Sequence, residues 1–480
     1  MKNARKILLL ALTAALVGGV ALAQVSFTKY EALGDSLTAG YSAGALTKYY
    51  QDFSYPSILA RQIGASGTFQ QPIISDPGIG SYGTVLKLFA LNVVNGSVVP
   101  TIGPTPGAPG SPINATLPTP YNNLGIPGAN AANILTTTGD ITKPLSGNID
   151  PNTIMYDLIL RDGQHTALQQ AISVSPTFVT AWIGNNDVLA AVVSGLVLEG
   201  VTLTPKAAFQ TTYTTIIGAL RQYLPNAAIV VGTVPNVTAI PFVNTIKPYI
   251  VNPANGSHIP LIGANGLLTE QDYVTLGASA LLAQGIGIPT AAGGTGQPLP
   301  EGSFDPATGT LSAGVVLRAA GIAAIQARTA DINAIIAGVA QQTGAKVVDF
   351  NAIFANIVAH GYLVGGVELG PGFLTGGIFS YDGIHPQRLG YAIVANEWVK
   401  GINAAYGTKV PEVNLQPFLT GTASATSVMA GGVVFSAEAA AQVIKDILPG
   451  ANTDRIFPSH AVRHHLTAFG GHSSIEPSTP

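Results

Sequence analysis

Short apolar runs recur along this chain of 480 residues, and turns or helical segments separate them. Each run has a strand's length, and the first alternates between apolar and polar residues as half-buried β-strands do. The sequence therefore predicts strands at residues 27–33, 121–124, 177–183, 227–233 and 346–350.

Helical spacing appears between the predicted strands. The clearest case runs from Ile322 to Val339, where isoleucine and valine recur at spacings of three, four and seven. Further helices are predicted at residues 57–63, from residue 187 and at 387–398. Strands and helices that alternate in this way indicate a parallel sheet covered on both faces. In such a sheet, functional groups cluster at the carboxyl ends of the strands.

Two stretches rich in Gly, Pro, Asn and Thr interrupt this pattern at residues 72–120 and 244–310. Long irregular loops in a compact domain are usually functional or disordered. We interpret both stretches as walls or a cover of a substrate groove, and plain surface elaboration is the alternative.

The last part of the chain, residues 406–480, departs from the alternating pattern. A helix is predicted to begin near Ser436, and the final residues are expected to be flexible. This tail carries His460, His464, His465 and His472. The histidines lack carboxylate or cysteine partners at a suitable spacing, so no metal site is predicted.

The first 23 residues have the three parts of a secretory signal peptide. Residues 1–6 are basic, residues 7–22 are apolar, and Ala21 and Ala23 form a small-residue cleavage pattern before Gln24. We expect the mature chain to be exported, and to be secreted, periplasmic or attached to the cell surface. An uncleaved anchor is the alternative, although the run is short for a bilayer span. No membrane span is predicted in the mature chain.

The composition excludes several kinds of chemistry. The chain has no cysteine, which excludes disulfides, thiol nucleophiles and thiolate metal ligands. Its net charge of −3 gives no electrostatic case for binding nucleic acid. Charged residues make up only 9% of the chain, against about a quarter in a typical globular domain, which we interpret as a sparsely charged exported surface.

A serine stands where the first predicted strand ends. Residues 34–38 read GDSLT, which places Ser36 at a strand-to-loop corner. Such a serine is a nucleophile only if a base takes its proton and donors stabilise the oxyanion. Residues 381–386, YDGIHP, supply Asp382 and His385, which are spaced so that the carboxylate can orient the imidazole within one turn.

Two other segments that follow predicted strands carry candidate donors. Residues 123–129, NLGIPGA, contain Gly128, which lacks a Cβ and can approach a substrate closely. Residues 182–187, WIGNND, contain Asn186, whose amide can donate to an oxyanion. We interpret the adjacent Asp187 as structural, in the role of a helix cap.

These four segments, in this order, resemble the four sequence blocks of the SGNH or GDSL hydrolase family. The resemblance implies Ser36 as nucleophile, His385 as base and Asp382 as the group that orients it. It also implies an oxyanion hole made by the backbone N–H groups of Ser36 and Gly128 and the side-chain amide of Asn186.

The resemblance covers roughly residues 27–405 and implies an α/β fold. This fold is a flavodoxin-like three-layer α/β/α sandwich around a mostly parallel five-stranded sheet, here with long insertions and a C-terminal extension. We therefore expect a signal peptide at 1–23, a hydrolase domain at 24–405 and the extension at 406–480.

Two further motif matches are interpreted as coincidental. Residues 40–44, GYSAG, match the nucleophile elbow of other hydrolases around Ser42, but no strand directly precedes them. Asp162 and His165 repeat the spacing of the DxxH motif, yet they precede a predicted helix at 166–172.

We expect an exported serine hydrolase that cleaves small-molecule or lipid carboxylic esters through an acyl-enzyme, without a cofactor or a metal. An acyltransferase, a carbohydrate acetylesterase and a catalytically idle surface-binding protein are the alternatives. All four segments end by His385, so the residues after Tyr406 are expected to be dispensable for the chemistry.

Overall fold

A computed structural model of the chain describes residues 25–94, 97–419 and 434–456. The predicted signal peptide and the four tail histidines lie outside these ranges. The strands in chain order are β1 (Tyr30–Gly34), β2 (Leu86–Val94), β3 (Ser97–Pro104), β4 (Asn123–Gly125), β5 (Phe178–Trp182), β6 (Ala228–Gly232), β7 (Tyr249–Val251), β8 (His258–Pro260), β9 (Ile262–Gly263), β10 (Gly266–Leu267), β11 (Tyr273–Val274), β12 (Ser303–Asp305), β13 (Thr310–Ser312), β14 (Val316–Leu317), β15 (Lys346–Val348), β16 (Tyr362–Val364), β17 (Val367–Leu369) and β18 (Val434–Phe435).

Helices connect most of these strands. The α-helices are α1 (Ser36–Ala39), α2 (Lys48–Gln51), α3 (Tyr55–Gln62), α4 (Ala131–Thr136), α5 (Thr142–Leu145), α6 (Ile154–Leu160), α7 (Ala167–Ser173), α8 (Asn186–Ser194), α9 (Lys206–Tyr223), α10 (Pro241–Asn244), α11 (Ser279–Ala283), α12 (Ala319–Thr343), α13 (Phe350–His360), α14 (Arg388–Tyr406), α15 (Gln416–Leu419) and α16 (Ala437–Ile447). Short 3₁₀ turns lie at Val237–Ala239, Leu276–Ala278 and Thr290–Ala292.

The central sheet has five strands in the order β15–β6–β5–β1–β4, and every neighbouring pair is parallel. In its middle, Leu33 of β1 pairs with Leu124 of β4 on one side and Ala181 of β5 on the other. This confirms the predicted fold class, an α/β protein with a five-stranded parallel sheet between helical layers.

Alternate residues of the sheet face two different helical layers, as the pleat requires. Tyr30 and Phe178 point to one face, where they share a core with Trp398 of α14. Leu33 and Val179 point to the other face and share a core with α8, α9 and α12. Both faces are therefore buried, which explains why these strands are apolar along their whole length.

The longest predicted helix is confirmed. The helix α12 buries Ile322, Ile325, Ile332, Ile336 and Val339 on one side, as their spacing predicts. The helix α14 begins one residue later than predicted, because Gln387 is its N-cap residue.

The first insertion is more regular than its composition suggests. Strands β2 and β3 pair as an antiparallel hairpin, and β18 of the C-terminal extension adds to β3 in parallel. The prediction that residues 72–120 are irregular is therefore wrong for β2 and β3. The order β18–β3–β2 joins the first insertion to the end of the chain.

The second insertion contains the short helix α11, two 3₁₀ turns and short antiparallel ladders that pair β7 with β8, β9 with β10 and β12 with β13. Arg318, just before α12, holds it by ion pairs to Glu301 at 2.5 Å and to Asp272 at 3.1 Å. Asp272 also accepts a hydrogen bond of 2.8 Å from the backbone N–H of Ala319. The insertion is thus fixed to the start of α12.

The described part of the C-terminal extension packs against the domain. Phe435, Val443 and Ile444 are buried in the same apolar core as Leu33 of the central sheet. Helix α16 therefore lies within the same packed unit as the sheet. Among the described residues, no helix has both the length and the apolar character needed to cross a membrane.

Candidate active site

Ser36 is the first residue of α1, and only Asp35 separates it from the carboxyl end of β1. The side chain of Asp35 caps this helix by accepting a hydrogen bond of 3.0 Å from the N–H of Leu37. Its other carboxylate oxygen accepts a hydrogen bond of 2.7 Å from the side-chain amide of Asn185. Burial raises the pKa of Asp35 to about 6. A Cβ on Gly34 would lie 2.2 Å from the hydroxyl of Thr38, so only glycine fits this corner.

His385 and Asp382 lie on one loop that leads into α14. The Oδ1 atom of Asp382 accepts hydrogen bonds of 2.8 Å from the backbone N–H groups of Ile384 and His385, and one of 3.0 Å from the hydroxyl of Ser380. Burial alone would raise the pKa of Asp382. The charge of His385 and these hydrogen bonds outweigh burial and lower the pKa below its ordinary value.

The structure brings Ser36, His385 and Asp382 into a continuous line of contacts. His385 Nδ1 lies 2.9 Å from Asp382 Oδ2, and His385 Nε2 lies 2.9 Å from Ser36 Oγ. An ionised carboxylate only accepts, so Nδ1 carries the proton of the neutral imidazole and Nε2 is free to accept from Ser36. The arrangement can therefore draw the proton from the serine hydroxyl.

Gly128 lies on the loop that follows β4. Its φ of +79° is in the left-handed region, and a Cβ there would lie 3.0 Å from the backbone oxygen of Asp446. Among the described residues, neither the N–H of Gly128 nor that of Ser36 has a hydrogen-bond acceptor. Both N–H groups are therefore available to a ligand.

Asn186 begins helix α8, and its Nδ2 donates a hydrogen bond of 2.8 Å to the backbone oxygen of Ala129. The amide has two hydrogens, so one remains after this contact. Asn186 also ties down the residue that follows Gly128. The structure thus links two of the three donors that the sequence suggests for an oxyanion hole.

Asp187 does not cap α8, because the N-cap residue is Asn185. Its carboxylate instead accepts a hydrogen bond of 3.0 Å from the N–H of Ala131, at the start of α4. The interpretation as a helix cap is therefore wrong. Asp187 supports the loop of Gly128 from the other side.

The two coincidental motif matches have other surroundings. Ser42 is buried and donates a hydrogen bond of 2.9 Å to the backbone oxygen of Pro386. His165 contacts Asp162 at 2.7 Å on the exposed surface, just before helix α7. The Asp162–His165 pair repeats the spacing of Asp382 and His385, but no hydroxyl of residues 25–94, 97–419 or 434–456 contacts its imidazole.

Several residues that contact the site were not predicted from the sequence. The hydroxyl of Tyr41 contacts both the backbone oxygen of Gly44 and Asp446 Oδ2 at 2.6 Å. The N–H of Gly44 donates to Asp382 Oδ2 at 3.0 Å. The expectation that the extension is dispensable for the chemistry does not allow for these contacts. Two polar residues four apart, Gln442 and Asp446, on the apolar face of α16 are the one sequence signal that could have revealed them.

A pocket of about 390 Å³ opens beside Gly128. Its lining is mixed: Met155, Tyr156, Ile447 and three prolines contribute apolar surface, and the polar side chains come from four segments, namely Ser81, Asn130, Asn133, Thr137, Asn152 and Asp446. Ser81 belongs to the first insertion and Asp446 to the C-terminal extension. Among the described residues, no cluster of His, Asp or Glu could hold a metal ion.

A three-layer α/β fold with a serine, a histidine and an aspartate in contact beside the carboxyl ends of its strands is typical of a hydrolase. The profile of the GDSL-like lipase/acylhydrolase family matches residues 30–398. The match covers most of the chain, and the protein belongs to this family of hydrolases.

Solved structures match this chain at low sequence identity and with low TM-scores. An extracellular lipase from Streptomyces rimosus is 16% identical, covers 79% of this chain and 99% of its own, and has a TM-score of 0.31. A family 3 carbohydrate esterase from Clostridium thermocellum is 14% identical, covers 80% and 99%, and has a TM-score of 0.30. An α/β hydrolase enzyme from the metagenome of Lake Arreo is 13% identical, covers 81% and 98%, and has a TM-score of 0.33. No curated protein matches the sequence significantly.

Proposed function

We propose that this protein is a serine esterase that cleaves carboxylic esters through an acyl-enzyme. The observation that carries the proposal is the line of contacts from Ser36 Oγ through His385 to Asp382, with both heavy-atom distances at 2.9 Å. These distances lie within the range that proton transfer requires.

In the proposed reaction, Ser36 Oγ attacks the ester carbonyl carbon and its proton moves to His385 Nε2. The tetrahedral intermediate then expels the alcohol, which takes the proton from Nε2. A water molecule next gives a proton to Nε2 and attacks the acyl-serine. The carboxylic acid leaves, and the proton returns to Ser36 Oγ.

Asp382 holds the imidazole in the tautomer that this sequence requires and stabilises the imidazolium that forms. The N–H groups of Ser36 and Gly128 and the second amide hydrogen of Asn186 are the proposed donors to the oxyanion. Because Asn186 already donates to Ala129 O, its amide is oriented before substrate binds.

The pocket beside Gly128 bears on the substrate. Its lining includes hydroxyl and amide groups, and a long acyl chain would leave such groups without partners. We therefore infer a short acyl group on a polar, hydroxylated alcohol. A carbohydrate acetylesterase is the second candidate function, and the polar lining is the observation that favours it.

The chain is further proposed to act outside the cytoplasm. This part of the proposal rests on the sequence of residues 1–23 alone, with its basic start, apolar run and cleavage pattern at Ala23.

A chain-length series of p-nitrophenyl esters, run beside an acetylated sugar and a phospholipid, tests the proposal. We expect kcat/KM to be highest for acetyl or butyryl esters and to fall with longer chains, and the acetylated sugar to be cleaved faster than the phospholipid. Turnover of the phospholipid alone would contradict the substrate class. Absence of turnover of every ester by the folded protein would contradict the esterase itself.

Replacing Asn186 with alanine is expected to lower kcat by about 10² to 10³ with little change in KM. The reason is that its amide acts mainly on charge that develops in the transition state. Steady-state kinetics on a short-chain ester provide the measurement, and Asn186→Asp should be at least as harmful.

Asn396→Ala is the matched control for the loss of the hydrogen bond between Asn186 and Ala129 O. Asn396 is also buried and donates a hydrogen bond of 3.0 Å to a backbone oxygen, that of Val413, away from Ser36. This variant should lower the melting temperature and leave kcat nearly unchanged. If Asn186→Ala raised KM and left kcat intact, Asn186 would bind the ground state and the oxyanion assignment would be wrong.

A further inference from the structure

Helix α16 places a carboxyl group beside the proposed triad. Asp446 is buried, with Oδ1 accepting a hydrogen bond of 3.0 Å from the N–H of Ser81 and Oδ2 lying 2.6 Å from the hydroxyl of Tyr41. The residue lies beyond position 398, where the family match ends. Asp446 is therefore a feature of this chain outside the region that defines its family.

The number of hydrogens at Tyr41 constrains the protonation of Asp446. The hydroxyl oxygen of Tyr41 lies 2.6 Å from both Asp446 Oδ2 and the backbone oxygen of Gly44, and the hydroxyl has a single hydrogen to share between them. If Asp446 is ionised, Asp446 Oδ2 and Gly44 O are both acceptors. The single hydrogen of Tyr41 can then serve only one of them, and the other contact has no hydrogen between its two oxygens. If Asp446 is protonated, it donates to Tyr41 and Tyr41 donates to Gly44, so both contacts are hydrogen bonds.

Gly44 connects this pair of contacts to the triad. Its N–H donates to Asp382 Oδ2, the oxygen that also contacts His385 Nδ1. Its carbonyl oxygen accepts from Tyr41 and, at 2.7 Å, from the side-chain amide of Gln442 in α16. The position of Gly44 therefore depends on α16, and Asp382 depends on Gly44.

Tyr41 also contacts the imidazole directly. Its ring packs edge-on against His385 with the ring centroids 5.0 Å apart. The titratable groups that face Asp446 are Tyr41, Asp382 and His385, together with Tyr82 of the first insertion. Lys445, its neighbour in α16, lies over the ring of Tyr82 at 4.9 Å.

We propose that Asp446 is a positioning residue of the active site, and that its protonated form holds Tyr41 and Gly44 in the arrangement that orients Asp382 and His385. This inference rests on the proposed function. When Asp446 loses its proton, two acceptors compete for the hydrogen of Tyr41, and one of the two contacts breaks. The triad then loses part of its support.

The ionisation falls in a range that kinetics can measure. Burial raises the pKa of Asp446 to about 7, although its hydrogen bonds with Tyr41 and Ser81 act in the opposite direction. A plot of kcat/KM against pH should therefore fall above about pH 7. The fall should amount to at least about tenfold by pH 9.

Asp446→Asn tests this assignment without a change of shape. The amide Nδ2 can donate to Tyr41 and Oδ1 can still accept from Ser81, so the variant imitates the protonated acid at every pH. We expect the pH profile of its kcat/KM to show no alkaline fall by pH 9, in contrast to that of the wild type. Tyr41→Phe, which removes the contested hydrogen and keeps the ring, should also abolish the alkaline fall.

Glu31→Gln is the matched control. Glu31, in strand β1, is also fully buried, and burial also raises its pKa. Its carboxylate accepts a hydrogen bond from Asn122 and does not contact Gly44. This variant should keep the alkaline fall. If the fall persists in Asp446→Asn while the wild type cleaves esters, the inference is wrong and the esterase stands. If the wild type cleaves no ester, the proposed function fails, and the inference fails with it.

Discussion

Replacing Ser36 or His385 with alanine is expected to lower kcat by about 10⁴ to 10⁶, and the double replacement is expected to lower it scarcely further. The two side chains act as one unit across the 2.9 Å contact between Ser36 Oγ and His385 Nε2. Once either is absent, the other has no proton to give or to accept. Single-turnover and steady-state rates with a short-chain p-nitrophenyl ester provide the measurement.

His165→Ala is the matched control for the histidine. His165 forms the same kind of contact with an aspartate three residues earlier, but on the exposed surface. Its replacement should leave kcat and KM unchanged. Additive losses in the Ser36 and His385 double variant, or activity retained by Ser36→Ala, would contradict the proposed triad.

Deleting every residue from 420 onward is expected to prevent cooperative folding. The deletion removes the buried side chains of Phe435, Val443, Ile444, Ile447 and Ile456. Each contributes roughly 1.5 to 3 kcal/mol when buried, so their sum is comparable to the roughly 5 to 15 kcal/mol that stabilises a typical protein. Soluble yield, circular dichroism and calorimetry measure the effect.

A cut after Ile456 is the control, because it keeps all the described contacts of α16. This shorter deletion should leave the melting temperature and the turnover of esters nearly unchanged. From the sequence we expect the loss of the extension to destabilise the protein and to leave the chemistry intact in any folded fraction, and the contacts of α16 with Tyr41 and Gly44 now favour a larger effect. A folded and active protein that ends at Leu419 would show that α16 contributes little.

Much of the fold follows from local patterns. Strands β5 and β6 and helix α12 lie close to their predicted positions. The strands are buried along their length and so read as apolar runs, and the helix is buried on one side and so shows apolar residues at helical spacing. Ser36 lies at the edge of the sheet where the carboxyl ends of the strands meet, and the loop before α14 brings Asp382 and His385 to it. Short segments therefore suffice to predict both the sheet and these contacts.

The parts that escaped prediction depend on distant pairs. Strand β3 pairs with β18 near the far end of the chain, so the composition of the first insertion alone does not reveal the hairpin. Tyr41 and Asp446 are separated by 405 positions, and no local spacing links them. Only packing brings the apolar face of α16 and its two polar residues onto the loop of Gly44.

The position of α16 after the region shared with the family has a consequence for biosynthesis. Ser36 is made early, its imidazole partner comes 349 residues later, and Asp446 comes later still. When translation has passed the region shared with the family, which ends at residue 398, helix α16, which contacts Tyr41, has therefore not yet been made. The nascent chain carries the nucleophile through the synthesis of the 349 residues up to His385, and for longer still before α16 can support the active site.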